Sequence, residues 1–87
     1  MNAWRIPEDV VFRELDGEGV LLNLATGIYF GLNPTGTIVW QLLNEGKPDG
    51  EIVSALVAEF EVTEDIAAAD VKILIEELAA KGLLGPA

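Results

Sequence analysis

The sequence contains no cysteine and no histidine. Lack of cysteine excludes disulfides, thiol nucleophiles and thiolate ligands, and lack of histidine removes the commonest general base together with the usual zinc ligand. Basic residues are scarce too, with five Lys and Arg against fifteen Asp and Glu for a formal charge of −10. That balance repels phosphate backbones and anionic lipid surfaces, so nucleic acid and membrane are not expected partners. No apolar run approaches the length that crosses a bilayer. The opening MNAWRIPEDV has no basic region followed by an apolar stretch, so the chain reads as cytoplasmic. A phosphate cradle is missing as well, since GEGV and NPTGT have neither the length nor the lysine.

What remains is a chain of 87 residues, 51% hydrophobic, enough for one small domain with a modest core. The carboxylates are dispersed along it and read as a solvating surface. Adjacent Glu76 and Glu77 point to different faces of a helix, so neither acid–base catalysis nor metal binding is expected, and no cofactor is implied. A neutral or basic polypeptide is still an allowed partner.

The organising stretch is GEGVLLNLATGIYFGLNPTGTIVW, residues 17–40. Residues 20–24 and 28–32 favour strands, and Ala25, Thr26 and Gly27 between them read as a three-residue hairpin loop. Upstream, VVFREL over residues 10–15 forms a first strand with Val10, Phe12 and Glu14 on one face, and the Gly-rich residues 16–19 turn it into the hairpin. The sum is a three-stranded antiparallel meander. Residues 1–9 read as an arm broken by Pro7, with Trp4 either docked on the body or free. Gly31 weakens side-chain packing in the last strand and leaves two readings open. Either it makes room for a core neighbour, or it marks a free edge with Ile28, Tyr29, Phe30 and Leu32 where another backbone can approach.

Asn33-Pro34 then stops the strand and starts a helix, Asn33 as the cap and Pro34 in the first turn. This helix covers residues 34–44, with Trp40 in the core and Gly46 and Pro48 closing it. A second helix follows Asp49 as its cap, with Ile52, Val53, Leu56, Val57 and Phe60 on one face. Thr63 caps a third, predicted over residues 64–81 and ended by Gly82, after which Leu83 and Leu84 fold back. In this last helix Ala67, Val71, Leu74, Ile75 and Leu78 form a core stripe, while Ile66, Ala69, Ile73 and Ala80 gather roughly opposite. Asp70 and Glu77 flank that second stripe. It is either covered by the sheet or the arm, or offered as an apolar strip with an acidic edge.

Taken together, GVLLNLATGIYFGLNPTGTIVWQLL, EIVSALVAEFEV and DVKILIEELAAKGLL resemble the PqqD-like family, the recognition elements that bind leader peptides of ribosomally made, modified peptides (RiPPs). The likeness runs from Val10 to Leu84. It rests on the hairpin ending in Leu32-Asn33, on Trp40, and on Asp70-Val71 followed by Leu74, Leu78 and Gly82-Leu83-Leu84. It implies an α+β, winged helix-turn-helix-like fold of three strands followed by three helices, as one peptide-binding domain over residues 10–84. It implies a non-enzymatic protein that takes a leader as an added strand. The site residues would be Ile28, Tyr29, Phe30, Gly31 and Leu32 on the third strand and Ile66, Asp70, Ile73, Leu74 and Glu77 on the third helix. Within the family the chain looks most like the free-standing leader-binding protein of lasso-peptide biosynthesis, which works with a separate leader peptidase and a cyclase. The runner-up is the chaperone that presents its peptide to a radical SAM enzyme in pyrroloquinoline quinone synthesis.

Two rivals belong to other classes. A DNA-binding winged helix needs a basic recognition helix, but the third helix has Lys72 and Lys81 against Glu64, Asp65, Asp70, Glu76 and Glu77. A dimerisation module would pair the same edge strand with its twin.

Overall fold

The computed structural model describes residues 4–86 and is α+β. The elements run β1 (Trp4–Arg5), β2 (Val10–Leu15), β3 (Glu18–Asn23), β4 (Tyr29–Gly31), α1 (Pro34–Asn44), α2 (Asp49–Phe60), α3 (Glu64–Ala80) and β5 (Gly85–Pro86). β2, β3 and β4 form the expected antiparallel meander in that spatial order, which leaves β4 at an edge. In register, Phe12 faces Leu21 and Leu21 faces Phe30, so one row of side chains points from the sheet to the helices. A short second sheet pairs β1 with β5, tying the described part of the N-terminal arm to the far end of the chain, with Trp4 packed against the core.

Alternation explains which sheet residues are buried. Gly19, Leu21 and Asn23 of β3 are buried while Glu18 and Val20 are exposed, the period of two expected of a sheet with one solvated face. The core joins Leu21 and Leu32 from the sheet to Val39, Trp40 and Leu43 of α1, Ile52 and Leu56 of α2, Val71, Ile75 and Leu78 of α3, and Leu83 and Leu84 beyond it. Phe12 stacks on Trp40 with ring centroids 6.5 Å apart. Gly19 has no room for a side chain, since a Cβ there would collide with the Phe12 ring of β2 and crowd Thr37 Oγ1 of α1. Its N–H donates to Thr37 Oγ1 at 2.8 Å, and that hydroxyl donates to Asn33 O at 3.0 Å. Thr37 is thereby buried without an unsatisfied group.

The caps of α1 and α3 follow the sequence. Asn33 Oδ1 accepts from the Gly36 N–H at 2.7 Å and Thr63 Oγ1 from the Ile66 N–H at 3.3 Å. The expected cap of α2 is corrected: Pro48 occupies the cap position in extended geometry, and Asp49 lies in the first turn, where its charge faces the helix N-terminus. The hairpin loop is longer than three residues, because Asn23 takes part in the turn. Its side chain accepts from Ala25 and Thr26, its carbonyl accepts from the Gly27 N–H, and residues 24–27 form the loop.

Candidate functional site

Among the described residues β4 is paired on one side only. The Leu32 N–H donates to Gly19 O at 2.7 Å and the Asn23 N–H donates to Ile28 O at 2.9 Å. Leu32 through its N–H and Ile28 through its C=O are therefore in step with β3, and Phe30 between them pairs with Leu21. By antiparallel alternation, Tyr29 and Gly31 turn an N–H and a C=O each to the open edge. A Cβ built on Gly31 would meet nothing within 4 Å, so no core neighbour requires the glycine, and the space beside it is open.

That open space continues into a groove of about 370 Å³ whose far wall is α3. Seven of the ten residues expected from the sequence line it: Phe30, Gly31 and Leu32 on the strand side, Asp70, Ile73, Leu74 and Glu77 on the helix side. Thr35, Gly36, Val39 and Leu56 extend the floor under the start of α1. Their part was not read from the sequence, because which side of α1 stays open depends on where α3 lies. Leu32 is 4% exposed, so its side chain is core and contributes only the bottom of the groove. Ile28, Tyr29 and Ile66 are outside the lining. Tyr29, 74% exposed, stands on the solvated face of the sheet, while Ile66, 53% exposed, lies one turn before Asp70 towards the start of α3.

The second stripe of α3 is uncovered. Ile73 is 55% exposed on the groove, and neither the sheet nor the described part of the arm shields it or Ile66. Asp70 and Glu77 stand about 10 Å apart along the helix, from a rise of about 1.5 Å per residue. Both are exposed, and no cation pairs with either among the described residues. At the far end of the groove Lys81 Nζ lies 5.9 Å from the centre of the Phe30 ring, in cation–π range. Chemically, the arrangement offers strand-pairing groups, an apolar wall and two fixed negative charges. Among the described residues no cluster of three or more acidic side chains could hold a metal ion, and no helix is long and apolar enough to cross a membrane.

The sequence pattern of one family, described as Coenzyme PQQ synthesis protein D (PqqD), matches residues 18–84. The chain belongs to the PqqD family. Two similar chains have been solved with leader peptides bound. TbiB1 in complex with the TbiA(beta) leader peptide is 44% identical, with a TM-score of 0.87 over 92% of this chain and 93% of that one. Lasso peptide synthetase B1 complexed with the leader peptide is 27% identical, with a TM-score of 0.88 over 97% and 99%. No curated protein matches the sequence. The PqqD-like fold expected from the sequence, with its winged helix-turn-helix-like order of sheet and helices, is the fold observed.

Proposed function

We propose that this PqqD-family chain is a leader-peptide-binding protein of lasso-peptide biosynthesis. It captures the leader of a precursor as a strand added beside β4 and presents it to a separate leader peptidase and a cyclase, without catalysing a step itself. The observation that carries the proposal is the free edge at Tyr29 and Gly31 opening into a groove walled by Ile73 and Leu74. Supporting it, two chains of the same fold bind leader peptides, one of them 44% identical over nearly the whole length. Service in pyrroloquinoline quinone synthesis takes support from the family's description alone.

Magnitudes divide the work between edge and groove. Four main-chain hydrogen bonds at about 1 kcal/mol each only match the low end, about 4 kcal/mol, of the cost of association. Main-chain pairing therefore sets register and direction without giving useful affinity, and side chains buried in the groove supply the surplus and the choice of leader. The family resemblance implies an aromatic residue and a proline as those anchors. A leader Lys or Arg would meet Asp70 and Glu77.

The test is calorimetric titration with the TbiA(beta) leader and with the leader peptide of the lasso peptide synthetase B1 complex, while amide signals of residues 28–32 are followed by NMR. Saturable binding of either peptide, with the Tyr29 and Gly31 amides shifting and gaining protection, is expected. Binding of neither, or binding that leaves these two amides unmoved, refutes strand addition at β4.

A further inference from the structure

β4 and α3 face each other across open space, so their separation needs fixing. Under the start of α1 the walls join through Val39 and Leu56 of the core. At the opposite end, Asn23 is a buried polar side chain whose amide has one chemically consistent orientation. Its Oδ1 accepts from the Ala25 N–H at 2.9 Å and the Thr26 N–H at 3.3 Å, which shapes the β3–β4 turn. Its Nδ2 donates across to Gly82 O at 3.0 Å, just beyond α3.

The geometry of that acceptor is fixed in turn. The Leu83 N–H donates to Leu78 O at 2.9 Å and the Gly82 N–H to Ala79 O at 3.2 Å, the paired bonds of a helix end closed by a left-handed residue, here Gly82 at φ +72°. Lys81, in the same helix end, stands over Phe30.

We infer that Asn23 is a positioning residue that sets the width of the groove, latching the β3–β4 turn to the C-terminal end of α3. The inference rests on the groove being the leader site. A strand added to β4 must lie about 4.8 Å from it, while its side chains reach Ile73 and Leu74 on the other wall. A wall displaced by an ångström loses one set of contacts or the other. One amide does both tasks: the oxygen builds the turn that ends at the edge strand, and the nitrogen holds that turn at a fixed distance from the helix.

Asn23→Asp separates the two tasks in the full chain, since the acceptor stays and the donor becomes an oxygen facing a carbonyl. Two readouts are taken: nuclear Overhauser contacts between Lys81 and the Phe30 ring in the free protein, and the affinity for the TbiA(beta) leader. The contacts should disappear and the affinity should fall roughly tenfold, the worth of about one hydrogen bond. Val57→Ala serves as a control of reduced melting temperature, because Val57 packs on the core outside the groove; it should leave both readouts unchanged. Asn23→Asp with wild-type contacts and affinity overturns the latch, as does an equal affinity loss in Val57→Ala. Where Asn23→Asp does not fold, Asn23→Ser replaces it, its hydroxyl still accepting from the turn but too short to reach Gly82. If the wild-type chain does not bind this leader, the failure belongs to the proposed function, and the Lys81–Phe30 contacts alone decide whether Asn23 is a latch.

Discussion

Ile73→Ala is the perturbation that separates a groove wall from a core position, because Ile73 is divided between the two environments. At 55% exposure, a little under half of its side chain is covered by the domain. Fully burying an isoleucine stabilises by roughly 2–3 kcal/mol, so removing the covered part should cost the fold about 1 kcal/mol. The open part is what a leader anchor would cover, worth a further 1 to 1.5 kcal/mol or so, which lowers affinity roughly five- to tenfold. Ile75→Ala, two positions on and 4% exposed, serves as the contrast, since emptying a buried isoleucine site costs about 2–5 kcal/mol and threatens the whole of a small domain. Each variant is melted by circular dichroism and titrated with leader peptide at a temperature where it is fully folded. An Ile73→Ala protein that binds leader as tightly as the wild type would refute the assignment of α3 as the groove's apolar wall.

Three further outcomes follow from particular residues. Gly31→Pro removes an N–H that faces the open edge, so the melting temperature should move little while leader affinity drops by about 1 kcal/mol or more in the same titration. If Asp70 and Glu77 steer a basic leader, raising salt to about 0.5 M shortens the screening length well below 10 Å and should slow association in stopped-flow traces, whereas salt-independent rates would leave the two carboxylates as solvation only. Glu61 ends α2 at φ +53°, a left-handed position where a side chain is strained; Glu61→Gly should therefore raise stability by about 0.5 kcal/mol, the relief outweighing the added freedom of the unfolded chain.

How much could be read in advance depended on how local the determining chemistry was. The caps at Asn33 and Thr63 act within three residues of themselves, and both were legible. Asp49 was misassigned because Pro48, locked in φ and extended in ψ, takes the cap position whatever follows it. The two-sided pattern of α3 was plain from its period, but whether Ile66 and Ile73 were covered depended on where the sheet lies, which no local window contains. For Ile28 and Tyr29 the sequence marked the right strand, and the pleat then turned Tyr29 to solvent. The pairing of β1 with β5 and the bond from Asn23 to Gly82 join distant parts of the chain. The sequence trace of the second was an asparagine where a strand was expected to continue, and that of the first was Trp4 in the arm.

The β1–β5 pairing places Trp4 opposite Pro86 and Arg5 opposite Gly85, so the two ends of the described chain are hydrogen-bonded neighbours. A linker of a few residues would therefore close the backbone into a ring at little entropic cost. New ends could then be opened in the exposed turn at Asp16 and Gly17, between β2 and β3 and away from the groove. In such a permuted chain β2 would be joined to β3 only through space, while the hairpin, the groove and the latch would all remain on one continuous segment. Its folding rate and its leader affinity would then report separately on the first strand and on the binding surface.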